Sequence, residues 1–169
     1  MPAMPALSQR TLALLTALIA LAALGLALGS ERWGGLVPCA LCLLERWPLR
    51  AVVVLGLLAM VTPRPVGRVL LAAAVLALLA DAAIAFVHVG VEYGWWRSPL
   101  PECAAPVFHG GTIAERLASM PARPSKPCDQ ATFLIPGLPI SMAMMNLWFC
   151  IGFAGILGMF VWNGERRRA

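Results

Sequence analysis

The chain has 169 residues, of which 60% are hydrophobic and 12% charged, with a mean hydropathy of +0.81. A soluble domain carries about a quarter charged residues, so this composition excludes an ordinary soluble fold and points to one integral membrane domain over 1–169 with lipid as its solvent. The net charge of +5 comes partly from the tail Arg166-Arg167-Arg168 and forms no basic face, so no nucleic-acid partner is expected.

Roughly 20 mostly apolar residues cross a bilayer as a helix. The first predicted span runs from Thr11 to Gly29 without a charge. It exceeds the roughly 7–15-residue core of a signal peptide. The second is predicted over about 43–62, with Glu45, Arg46 and Arg50 in its first turns and a clean apolar run only from Ala51 to Val61. A tight basic turn over Pro63–Arg68 leads to the third, at about 69–91, which Asp81 and His88 interrupt. The fourth is predicted over about 138–162 and carries no charge. The fold class expected is an all-α, four-helix transmembrane bundle with both termini on one side. Arg10, the turn and the tail make that side basic, hence cytoplasmic.

Between the third and fourth spans, the loop over about 92–137 is rich in proline and cannot be one long helix. Thr112-Ile113-Ala114-Glu115 reads as a capping box opening a short helix. Ile113, Leu117 and Met120 share a face there, as an interfacial helix would require. Trp33, Trp47, Trp95, Trp96 and Trp162 fall near span ends, where aromatic side chains anchor to the interface.

The chemistry concentrates on cysteine. Cys39 and Cys42 form a Cys-x-x-Cys pair at the mouth of the second span, and Cys103 and Cys128 lie in the long loop. All four fall on the predicted non-cytoplasmic side, where disulfides persist. Zinc is not expected, because Cys103 and Cys128 form no second close pair and His88 lies inside a span. If the second helix begins near Cys42, its free N–H groups and Arg46, one turn on, favour the Cys42 thiolate. Cys103 and Cys128 read either as a structural staple or as an exposed, mobile disulfide that meets a soluble partner. Cys150, in the fourth span, reads as inert core. Asp81, His88 and Glu92 share one helical stripe, so Asp81 is expected to face the bundle interior.

The run Pro38-Cys39-Ala40-Leu41-Cys42-Leu43-Leu44-Glu45-Arg46 resembles the Pro-Cys-x-x-Cys-x-x-x-Arg signature of the disulfide bond formation protein B (DsbB) family. His88-Val89-Gly90-Val91-Glu92-Tyr93-Gly94-Trp95-Trp96, followed by Cys103, is similar to one branch of that family, and Cys128-Asp129 fits its second loop cysteine. The resemblance covers nearly the whole chain. It implies a thiol oxidase of the bacterial inner membrane that reoxidises a periplasmic, DsbA-like thioredoxin-fold protein and passes the electrons to a quinone, ubiquinone or menaquinone. Cys42 would contact the quinone and Cys39 would exchange with the loop. Cys103 would form the mixed disulfide with the partner, and Cys128 would link to Cys39 during the relay. Arg46 would support the quinone, with His88 and Glu92 as further candidates for quinone hydrogen bonds or proton delivery. Met144-Met145-Asn146 departs from the Gly-Trp-Asn expected at that place. Two rival readings are a four-span scaffold with structural disulfides and a reductive membrane thiol oxidoreductase.

Overall fold

The computed structural model describes residues 8–103, 111–118, 126–135 and 137–166. The described residues are helical or irregular, with no strand among them. Four long helices, α1 (Gln9–Arg32), α2 (Ala40–Val61), α3 (Arg64–Glu92) and α5 (Met142–Arg166), are joined by short connections and one long loop, which holds the short α4 (Ile113–Ala118).

Helix ends follow local chemistry. Ser8 caps α1, its hydroxyl oxygen accepting from the Thr11 N–H at 3.1 Å. Cys39 caps α2, so that helix begins three residues before the predicted 43. The predicted tight turn over Pro63–Arg68 is instead mostly the first turn of α3. Proline fits there because the missing N–H has no helical partner in a first turn. The last predicted span starts later than expected, at Met142. Pro139 disfavours helix at the residue before it, and the Ser141 hydroxyl caps the helix by accepting from the Met144 N–H at 3.2 Å. Helix α3 stops where Gly94 takes a φ of +70°, a conformation glycine adopts without strain. That turn folds Trp96 back over Gly90, where a Cβ would collide with the indole, and the Trp96 Nε1–H donates to the Val87 carbonyl at 3.0 Å.

Three helices, α1, α3 and α5, are long and apolar enough to cross a membrane. Helix α2 has comparable length, but Glu45, Arg46 and Arg50 lower its apolar character. Helices α1 and α2 pack together, as do α2 and α3, and α3 and α5. The pairs run antiparallel. Gly56 of α2 packs where a Cβ would lie 3.0 Å from the Ala13 carbonyl oxygen and the Ala17 nitrogen of α1. At the far end of the same pair, Arg46 meets Glu31. Gln9 Nε2 donates to the Ala59 carbonyl at 3.3 Å, and Arg68 to the Val161 carbonyl at 3.4 Å. One end of the helices therefore gathers the starts of α1 and α3, and the other gathers the starts of α2 and α5 with the cysteine-bearing loop. The apolar core runs along the shared axis through residues such as Val52, Leu71, Leu78 and Leu157.

The Thr112–Glu115 capping box forms as the sequence predicts. The Thr112 N–H donates to Glu115 Oε2 at 2.8 Å and the Glu115 N–H to Thr112 Oγ1 at 3.4 Å. Met120 lies outside the described residues, as does most of the basic tail. Trp33, Trp47, Trp95, Trp96 and Trp162 are all exposed.

Candidate active site

The Cys-x-x-Cys pair sits at the start of α2. Cys39 is the capping residue, with φ −89° and ψ 172°, and its sulfur accepts from the Cys42 N–H at 3.3 Å. This corrects the expectation that the helix N-terminus serves Cys42: the free N–H of the first turn points at Cys39, one turn earlier. Both residues are free thiols, and their sulfurs lie 2.9 Å apart, within hydrogen-bonding reach. The hydrogen bond from Cys42 holds the Cys39 thiol below its ordinary pKa, against the opposing pull of burial.

His88, from the last turns of α3, reaches the same sulfur. Its Nε2 lies 3.3 Å from Cys39 Sγ, and its Nδ1 lies 2.7 Å from Glu45 Oε1. The carboxylate selects the tautomer: Nδ1–H donates to Glu45, which leaves the Nε2 lone pair facing Cys39. Glu45 uses its second oxygen too, accepting from Asn146 Nδ2 of α5 at 3.0 Å. Asn146 continues to Asp81 Oδ1 at 3.5 Å, and the Cys150 Sγ–H donates to Asp81 Oδ2 at 3.3 Å. Asp81 is fully buried and faces the bundle interior, as its stripe predicts. Three helices thus share a buried polar chain in which Glu45, Asp81 and His88 are all hydrogen-bonded, as buried polar groups require. Glu92 lies beside it, with Oε1 at 3.9 Å from His88 Nε2 and Oε2 accepting from the Ser141 hydroxyl at 2.5 Å.

Two surroundings flank the thiol pair. On one side, Cys39 shares a buried cluster with Leu41, Val91, Cys103 and Cys128, and the last two are joined as a disulfide. The loop disulfide is therefore buried against the start of α2. The expectation that it stands exposed does not hold, because Val91 and the first turn of α2 cover it. On the other side is a cavity of about 540 Å³ between α1, α2 and α5. Its walls are mostly apolar, including Ile19, Leu26 and Phe149, and Cys42, Glu45, Arg46 and Asn146 supply its polar residues. Arg46 also pairs with Glu31 at 2.8 Å. Arg46 and Cys42 thus reach one cavity, whereas His88 and Glu92 lie on the Cys39 side and are not among its lining residues.

A model of the family described as disulfide bond formation protein DsbB matches residues 9–160. The chain belongs to the DsbB family. No curated protein and no solved structure matches it. Membership in the DsbB family implies membrane disulfide-bond formation and oxidoreductase activity, and the chain has cysteines to match. A DsbA–DsbB–quinone chain keeps the bacterial periplasm oxidising.

Glu45, Asn146 and Cys150 were not singled out from the sequence as parts of this site. Glu45 read as a first-turn acid, and only its partner His88, 43 residues away, reveals its use. Asn146 sits inside the stretch that departs from the expected Gly-Trp-Asn and keeps the asparagine of that pattern. Nothing in the sequence couples Cys150 to Asp81, 69 residues away.

Proposed function

We propose that this chain is a four-span thiol oxidase of the bacterial inner membrane that reoxidises a periplasmic, DsbA-like dithiol protein and delivers the electrons to a membrane quinone. The observation that carries this reading is the division of labour within one thiol pair: Cys42 lines a mostly apolar cavity together with Arg46, while Cys39 packs with the Cys103–Cys128 disulfide. The cavity suits a quinone. Apolar walls accept a ring and an isoprenoid tail, and a guanidinium with donors beyond the one used by Glu31 suits a carbonyl oxygen.

A quinone bound there accepts two electrons and two protons. The protein residues supply both. Closing the Cys39–Cys42 disulfide releases two electrons and the two thiol protons. Cys42 presents its sulfur to the cavity. His88 Nε2 takes the Cys39 proton, because Glu45 fixes Nδ1 as the protonated nitrogen, and Glu45, which also lines the cavity, relays the Nδ1 proton to the acceptor side. Arg46 holds the acceptor at the Cys42 end. The pair is then restored to its dithiol by the loop: the partner reduces Cys103–Cys128, and the freed thiols reduce Cys39–Cys42 by thiol–disulfide exchange. Because the loop disulfide is buried, the segment around Cys103 must lift from Leu41 and Val91 for the partner thiol to attack it. Both termini are cytoplasmic on this reading, and the loop lies in the periplasm.

The test is quinone reduction by the purified protein, followed by absorbance, with a reduced thioredoxin-like dithiol protein as donor. Turnover with ubiquinone or menaquinone is expected, and Cys42→Ser is expected to abolish it. Equal turnover in that variant would overturn the mechanism.

A further inference from the structure

The fold brings together a ligand set that the chain order hides. Cys39 Sγ, Cys42 Sγ and His88 Nε2 all lie within 4.8 Å of one another. From these positions we infer that the dithiol form of the protein binds one thiophilic divalent cation of the zinc type through these three atoms, and that the Cys39–Cys42 disulfide form does not.

Four observations carry this. The first is spacing. Tetrahedral zinc, with Zn–S of about 2.3 Å and Zn–N of about 2.0 Å, holds its ligand atoms roughly 3.5–3.8 Å apart. Cys39 Sγ and His88 Nε2 are 3.3 Å apart and the two sulfurs 2.9 Å apart, so each pair must open by less than 1 Å. The second is the imidazole. A metal-binding histidine characteristically gives its other N–H to a carboxylate, and Glu45 already accepts from Nδ1 at 2.7 Å, leaving the Nε2 lone pair to the metal side. The third is charge. Two thiolates cancel a divalent cation, so with neutral His88 the complex is formally neutral, which a buried site favours over any isolated ion. The fourth is the remaining coordination position, which a water would fill without changing that charge, with Glu92 Oε1, 3.9 Å from Nε2, available to accept a hydrogen bond from it and Ser141 occupying only the other oxygen of that carboxylate.

Binding replaces two S–H bonds by two S–metal bonds and releases two protons to solvent. A disulfide has no thiolate to offer, so metal and disulfide exclude each other. On the proposed function the cation would also compete with quinone for the same sulfurs, but binding itself does not depend on that reading.

The experiment titrates Co²⁺, as a spectroscopic substitute for zinc, into the anaerobic, reduced, full-length protein in detergent. One equivalent is expected to bind with thiolate-to-cobalt charge-transfer and tetrahedral ligand-field bands, and Zn²⁺ is expected to displace it. The bands should persist in Cys150→Ser and in the Cys103→Ser/Cys128→Ser double variant, and vanish in Cys42→Ser. His88→Gln should weaken binding at least tenfold, and Glu45→Gln by about 10–100-fold, as loss of an outer carboxylate does. The oxidised chain should show no bands. The inference is overturned if the reduced protein gives no charge-transfer band, if the double variant loses it, if His88→Gln binds as tightly as the parent, or if the oxidised chain binds equally.

Discussion

Cys39 holds the position in which a sulfur gains most from the start of a helix. It accepts the Cys42 N–H, and its sulfur lies 2.9 Å from the Cys42 sulfur. Its thiol is held below the ordinary value of about 8.5 by the Cys42 hydrogen bond. The sign is clear: a depressed pKa places the thiolate at lower pH, and removing the donor returns it upward. Thiolate absorbance followed against pH should show an inflection below that of an ordinary thiol, and Cys42→Ala should move the Cys39 inflection up. An unmoved inflection would show that the donor is not the cause. Arg46 offers a second residue-level prediction. Its partner Glu31 is 37% exposed, so the ion pair is worth roughly 0–1 kcal/mol. Arg46→Ala should lower kcat/KM for quinone at least tenfold, with most of the effect in KM, and Glu31→Gln should change it little. Equal losses in the two variants would assign the effect to the ion pair rather than to the cavity.

At the level of helices, the buried polar chain joins α3 to α5. Asp81 accepts from Asn146 and Cys150, and its removal leaves Asn146 Nδ2 with only its Glu45 partner and the Cys150 thiol with only its longer contact to Asn146 Oδ1, 3.6 Å away, inside an apolar layer. Asp81→Ala should lower stability by about 1–3 kcal/mol, measured as a lower midpoint of thermal unfolding in detergent. Asp81→Asn should lose less, because the amide oxygen still accepts, and Cys150→Ser should lose least, because its hydroxyl still donates. These contacts also mark where sequence reading stops. Apolar runs announced the long helices, because their length and lack of charge are local properties. Prolines misled at two ends: Pro65 looked like part of a turn yet sits in the first turn of α3, and Pro139 lies within the predicted fourth span, whose helix starts only at Met142. The cysteine pair was legible from its spacing. That the helix begins before Cys42 was not, since nothing in the run itself says which cysteine serves as the cap. The Glu45–His88 bond was not legible either, because it depends on how α2 and α3 are rotated about their axes, which no local pattern reports.

For the molecule as a whole, the decisive element is α2. Three other helices are apolar enough to cross a membrane by themselves. Helix α2 carries three charges, two of which are removed from the lipid by the fold: Glu45 is 7% and Arg46 8% exposed, bound to His88 with Asn146 and to Glu31 respectively. Arg50 lies over the Trp47 ring at 5.1 Å, an arrangement that covers part of its charge with an aromatic face. At about 1.5 Å per residue, the 22 residues of α2 reach roughly the thickness of a hydrocarbon core, about 30 Å. It runs antiparallel to both neighbours along its length, with Gly56 against α1 near one end and Glu45 against α3 near the other. On the proposed four-span reading, the charges of α2 are tolerated because partners from α1, α3 and α5 meet them. The same reading puts both termini on one side of the membrane and Cys39, Cys42, Cys103 and Cys128 on the other. Alkaline phosphatase, which folds only in an oxidising compartment, should be active when inserted beside Lys126 and inactive when fused after residue 166 or inserted at Thr62. Activity at Thr62 would mean that α2 does not cross. It would leave the thiol pair without access to both an external dithiol and the quinone of the bilayer.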